Sequence, residues 1–242
     1  MLIESVEVEQ PKVVLAIGAH PDDIDFGAGG TVSKWISEGA QVHYLLATTG
    51  QSGGFDETID RSEIPSIRQF EQRAAGDVYG VSSIEFLDFM DGSVTVTPQL
   101  RKEISRAIRR VKPDTVISQS PIRNFDRIGA SHPDHLATGE AALQAVYPDA
   151  RNPFAFPELL EEGYEAHSVS QVFLMASAEV NFYVDITSTI DKKVAAIREH
   201  KSQLKDPDAV ENMVRNWAST YASRFLGAED LLVEGFRYVN TR

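Results

Sequence analysis

Two short stretches hold the residue types that hydrolytic chemistry needs. The first is Ala19-His20-Pro21-Asp22-Asp23. The second is Ser131-His132-Pro133-Asp134-His135, which repeats His-Pro-Asp and adds one more metal-ligand type. If Pro21 and Pro133 occupy the first position of a helix, where a missing N–H is not needed, His20 and Asp23 lie three apart at a helix start, and so do His132 and His135. Residues at that spacing share a face. The chain has no cysteine, so any metal must be held by His, Asp or Glu. A catalytic zinc takes three such ligands and keeps one position for water. His20, Asp23 and His135 supply two imidazoles and a carboxylate. Asp22 and His132 are then left beside the metal, with Asp134 able to orient His132 from behind. A carboxylate there can take the proton of a metal-acidified water, and an imidazole can stabilise an oxyanion or protonate a leaving amine. The bland alternative is that Asp22 and Asp23 only favour a helix N-terminus. Two matching clusters, each after a predicted strand, argue for chemistry.

The elements that must position these residues follow from periodicity. The apolar run 12–17 predicts a buried first strand, and 24–38 an amphipathic helix with Ala28, Val32, Trp35 and Ile36 on one face. Strands are expected at 41–48, 84–87 and 115–118, with helices around Ile67–Val78 and Leu100–Val111 between them. Alternating strands and helices predict an α/β, Rossmann-like layered fold with a mostly parallel sheet covered on both faces. Both His clusters then fall at the carboxyl ends of strands, where such sheets bind ligands. The glycine-rich residues 49–60 read equally as a surface loop or as the rim of a site. Residues 147–170 read as an irregular excursion. Strands at 171–176 and 181–186, possible antiparallel partners, a helix from Ile190 to Leu204 that includes His200, a helix at 210–225 and a strand at 231–239 complete the chain. No linker-like run divides it, so one domain over 1–242 is expected.

Composition narrows the class. The formal net charge of −13 over 242 residues argues against nucleic acid and anionic membranes as partners. No basic, apolar leader opens the sequence and no run reaches the length of a membrane span, so a cytoplasmic protein is expected. His43 and His167 have no catalytic neighbours in sequence and read as a strand residue and a solvated one.

The paired motifs, from Gly18 to Asp23 and from His132 to His135, resemble the LmbE-like or PIG-L family of zinc-dependent de-N-acetylases. Arg68 to Ala75, Phe86-Leu87-Asp88, Asp91-Gly92 and His200-Lys201-Ser202-Gln203 resemble further elements of it. The resemblance implies one Zn2+ per chain, or another divalent ion such as Fe2+, held by His20, Asp23 and His135. It implies Asp22 as general base, His132 as acid or oxyanion stabiliser, and Arg68 and Asp91 as sugar contacts. It implies an N-acetylated amino sugar as substrate, and a trimer or hexamer as assembly. Gln51 stands where many members carry Glu. Two rival readings remain: an amidase for a larger conjugate, and a nucleotide-binding module prompted by Gly27-Ala28-Gly29-Gly30, glycines that do not directly follow the strand as a dinucleotide fingerprint requires.

Overall fold

The structure, a computed structural model, describes residues 8–242. Seven strands form one sheet: β1 Val13–Gly18, β2 Gln41–Thr48, β3 Ser83–Phe89, β4 Thr115–Gln119, β5 Gln171–Met175, β6 Phe182–Asp185 and β7 Val233–Asn240, in the spatial order β3-β2-β1-β4-β5-β7-β6. The first five run parallel, and β7 is antiparallel to both β5 and β6. The helices are α1 Asp23–Ser37, α2 Ile64–Tyr79, α3 Pro98–Val111, α4 Pro133–Gln144, α5 Pro157–Glu161, α6 Ile190–Arg198 and α7 Ala209–Tyr221. None is long and apolar enough to cross a membrane.

The sheet is buried on both faces, so its strands read as apolar runs whose alternate residues enter different cores. Val14 and Ala16 of β1 join Trp35, Val194 and Val214 on the face covered by α1, α2, α6 and α7. Leu15 and Ile17 join Leu100, Ile104 and Ala141 on the face covered by α3 and α4. From β1 the chain first builds outward through β2 and β3, then returns to place β4 and β5 on the other side. The reversal leaves a crevice at the carboxyl ends of β1 and β4, the usual ligand position in such sheets. Both His clusters lie there, as expected.

Three expectations change. The strands around 171–176 and 181–186 do not pair with each other, because β7 inserts between them. The helix from Ile190 ends at Arg198, so His200 lies beyond it. Pro133 opens α4 as expected, but Pro21 lies outside α1: Asp22, at φ +90°, takes a left-handed turn and α1 starts at Asp23. A non-glycine residue in that region is strained, and such strain collects at functional sites. One glycine matters for the crevice. A Cβ on Gly139 of α4 would fall 2.2 Å from the carbonyl oxygen of Gln119, so only glycine lets α4 pack this closely on the end of β4.

Candidate active site

The turn after β1 is closed by its own side chains. His20 N–H donates to Asp23 Oδ2 at 2.7 Å, and Gln119 Nε2, arriving from β4, donates to the same oxygen at 2.7 Å. Gln119 also accepts from Ala19 N–H at 3.2 Å, so it locks the two strand ends together. The sequence reading missed Gln119; the signal was a polar residue closing a buried strand.

The two imidazoles are fixed from behind. His20 Nε2 lies 3.0 Å from Asp134 Oδ2 and 3.2 Å from Asp91 Oδ1. His135 Nδ1 lies 3.3 Å from the carbonyl oxygen of Ala130. Each anchor needs an N–H on that nitrogen, which leaves the opposite one as the lone pair. Those opposite atoms both face Asp23: His20 Nδ1 is 3.4 Å from Oδ2 and His135 Nε2 is 2.9 Å from Oδ1. Among the described residues, two trios have every donor atom within 4.8 Å: His20, His132 and His135, and His20, Asp91 and Asp134. The expected trio is not one of them as it stands; its carboxylate instead spans the two imidazoles, one oxygen to each. The anchoring hydrogen bonds leave His20 Nδ1 and His135 Nε2 free to serve as ligand atoms beside Asp23.

Charge agrees with a cation site. Burial works to lower the His20 pKa, yet Asp23 and Asp91 raise it to about 11. Burial would likewise raise Asp23, but His135 and His20 hold it well below the usual carboxylate range. His135 is also raised, by Asp23, against its burial. Carboxyl groups so arranged demand positive charge, and without a metal the imidazoles supply it as protons. The donor set therefore fits a divalent ion with N and O preferences.

Asp22 has a different setting. Its N–H donates to Gln72 Oε1 at 2.8 Å, and Arg68 Nη2 donates to its Oδ2 at 3.1 Å. Burial raises its pKa to about 6, with Arg68 pulling down and Asp23 pushing up. His132 caps α4, its Nδ1 accepting the Asp134 N–H at 3.2 Å, so the neutral ring carries its proton on Nε2. Burial, then the positive charge of His20, lowers its pKa. Its ring lies 5.0 Å from that of His20 and 5.4 Å from that of His135.

Three expected roles shift. The Asp134 carboxylate does not reach His132; it is fully buried beneath His20 and accepts from Gly92 and Val94 N–H. Arg68 points inward: the same Nη2 also donates to the carbonyl of Pro21 at 2.5 Å, and Nη1 donates to that of Gly50 at 3.1 Å. Gly50 must be glycine for this, since its φ is +70° and a Cβ would sit 2.1 Å from the guanidinium. Asp91 braces His20 and accepts from Ser52 N–H at 2.9 Å. Gln51 is tied to the backbone of Phe89 and Asp91. Below Asp22 lies a chain of buried groups: Gln72 donates to Asp25, which pairs with the wholly buried His200 at 2.8 Å. His200 thus joins the site through Asp25. Gln72 was legible in principle, one helical turn from Arg68 on the same face. His43 bonds Ser83, and His167 faces the Pro113 carbonyl rather than solvent.

Residues 49–60 form a rim. Arg61 grips the carbonyls of Gln51 and Gly53, Gly54 N–H reaches Gln203, and Phe55 faces a cavity that also borders Asp23 and His135.

Residues 15–146 match the model of the PIG-L family, GlcNAc-PI de-N-acetylase. A diacetylchitobiose deacetylase of Thermococcus kodakarensis is 33% identical over 195 residues, covering 81% of this chain and 71% of that one. A probable N-acetyl-alpha-D-glucosaminyl L-malate deacetylase of Bacillus cereus is 28% identical over 197 residues, 78% and 83% of the two chains. The solved N,N'-diacetylchitobiose deacetylase from Pyrococcus horikoshii superposes with a TM-score of 0.86 at 32% identity, over 95% of this chain and 84% of that one. With both His-Pro-Asp turns inside the matched span, the chain belongs to the PIG-L family of de-N-acetylases.

Proposed function

We propose that this protein is a metal-dependent hydrolase that removes an N-acetyl group from an amino sugar or amino-sugar conjugate. The observation that carries the reading is the pair of anchored imidazoles, whose lone-pair nitrogens face one carboxylate. His20, Asp23 and His135 would hold one divalent ion, Zn2+ in the first instance and Fe2+ as the alternative. Bound there, the ion supplies a polarised amide carbonyl and a water whose pKa is lowered to about 7.

The chain's own groups do the rest. Asp22, with a pKa near 6, is ionised at neutral pH yet basic enough to take a proton from that water. Arg68 keeps it ionised and aimed. Neutral His132 offers Nε2–H to the oxyanion. Water adds to the carbonyl carbon, the C–N bond breaks, and acetate and a free amine leave, the amine taking the proton held by Asp22 or His132. Asp134 and Asp91 position His20 by holding its Nε2. The carboxylate oxygens of both, and the two terminal nitrogens of Arg68, are engaged within the protein, which supports a positioning role ahead of sugar contact.

The reading takes the whole chain as one catalytic domain with a small amino-sugar substrate, a cytoplasmic setting and no nucleic acid. The test is acetate release from N-acetylglucosamine, diacetylchitobiose, and the acetamides of glucosaminyl malate and glucosaminyl inositol, with metal-loaded and chelated protein side by side. Metal-dependent release from one of them supports the reading. Silence across the panel, with metal demonstrably bound, refutes de-N-acetylation of this substrate class.

A further inference from the structure

The cavity that borders Asp23, Gln119 and His135 is larger and less polar than an acetyl group requires. It measures about 630 Å³, within the usual range for small-molecule sites. Beside Asp23 and His135 the larger part of its wall is apolar, with Phe26 from α1, Met175 from the end of β5, and Val210, Met213, Val214 and Trp217 from α7, while Arg127, Lys205, Asp206 and Tyr221 bring polar groups to it. Phe26 and Trp217 lie 6.3 Å apart, centroid to centroid.

The buried charged pair of this wall, Lys193 and Glu234, is already used. The Lys193 ammonium donates to Glu234 at 2.5 Å and to the Phe26 carbonyl at 2.7 Å. The Glu234 carboxylate accepts from Gly30 N–H, Thr31 N–H and the Thr31 hydroxyl. At the mouth, Arg127 stacks over Trp217 at 4.7 Å and Lys205 over Phe55 at 4.5 Å. A sugar ring buried among Met213, Val214 and Trp217 would leave hydroxyls unpartnered, which is costly. An aliphatic or aromatic group would not.

We propose that this cavity is a subsite for an apolar group covalently attached to the amino-sugar substrate. The group is either the chain of the N-acyl moiety or the aglycone; both place hydrocarbon beside a scissile amide seated at Asp23 and His135. The turnover part rests on the hydrolase reading above, but binding does not.

Trp217 supplies the readout, since the chain's other tryptophan, Trp35, is buried in the core. Tryptophan emission is followed while metal-loaded protein is titrated, below micelle formation, with N-octanoylglucosamine, octyl N-acetylglucosaminide and N-acetylglucosamine. kcat/KM is then measured for the same three amides. A fully buried methylene contributes about fourfold, so one octyl-bearing compound is expected to bind at least tenfold tighter than N-acetylglucosamine, at order of magnitude. Trp217→Phe should abolish the emission change. Met213→Lys, which sets a charge in the wall, should erase the gain, while Met213→Leu should keep it and so exclude a folding defect. A tighter N-octanoyl compound assigns the cavity to the acyl side, and a tighter octyl glycoside to the aglycone. Equal binding of all three, within about threefold, overturns the proposal even if acetate is released. Tight octyl binding together with silence across the whole acetate-release panel upholds the subsite and refutes the hydrolase reading instead.

Discussion

Removing the charge of Arg68 should move the acidic limb of the pH–rate profile. Asp22 is the proposed base, so kcat/KM falls tenfold per pH unit once it protonates. Its pKa near 6 balances burial, which raises it, against Arg68, which lowers it. The two charges are 3.1 Å apart, and both side chains are mostly buried. At an effective dielectric near 20 the Coulomb energy at that distance is about 5 kcal/mol, an upper limit. Water entry and rearrangement reduce it, and observed shifts from one opposite charge are about 1–3 units. Arg68→Met should therefore move the limb upward by about 1–3 pH units relative to wild type. A bound metal lowers Asp22 in both proteins alike and cancels in the difference. Arg68→Lys keeps the charge but loses the fork that also holds Pro21 and Gly50. It should leave the limb near its wild-type position while lowering kcat. The assay is acetate release from pH 4.5 to 9.5 on protein of measured metal content. An Arg68→Met limb within about 0.3 unit of wild type, with metal retained, would show that Asp22 is not the group that titrates or that Arg68 does not govern it.

Further outcomes are expected. Asp22→Ala should keep the metal and lose several orders of magnitude in kcat, whereas His135→Ala should lose metal by elemental analysis. Asp134→Asn removes the carboxylate behind His20 Nε2 and should weaken metal affinity by about 10- to 100-fold, read by competition with a chromogenic chelator. In metal-free protein His20 has a raised pKa. Its stabilising contribution is fully present below about pH 6.5 and is lost as pH rises toward about 11. The Tm of metal-free protein should fall across that window, and added Zn2+ should raise Tm more at pH 8.5 than at pH 6; equal gains at both would contradict the proton–metal exchange. Gly139→Ala forces a Cβ against Gln119 and should cost about 1–3 kcal/mol in urea unfolding.

Much of this was legible because it is local. The alternation of Val14 and Ala16 with Leu15 and Ile17 fixes a strand buried on both faces, and the two His-Pro-Asp turns are short local motifs that carry the candidate ligands. What was not legible depends on long-range register. Nothing within 171–186 signals that β7 will insert between β5 and β6, since that pairing involves residues about fifty to seventy positions away. The partner of Asp134 was misplaced for the same reason. Sequence proximity suggests His132, but as the second helical residue of α4 its side chain drops behind the crevice to His20, 114 positions distant. His200 looked like a helix residue because the apolar spacing runs through to Leu204. The helix stops at Arg198, and the turn delivers the imidazole to Asp25.

The site therefore has two sources. Every group assigned to the chemistry, from His20 to His135, lies within the matched residues 15–146. The cavity wall comes mostly from beyond them, from Met175 and α7. The two halves share the sheet through β4 and β5 and one core, and near the site a few side chains also tie them together. Ser202 donates to Glu71 of α2, Gln203 accepts from Gly54 of the rim, and His200 reaches Asp25. A reaction common to the family needs the first half to stay constant, because metal, base and anchors must keep their distances to a fraction of an ångström. Substrate choice needs a surface that can change without disturbing them. An α7 wall that touches the metal residues only across a cavity meets that need. Exchanging α7 for that of a relative should accordingly change the preferred substrate while leaving metal affinity and the acidic limb of the pH profile in place. A lost or weakened metal in such a chimera would show that the two halves are not separable.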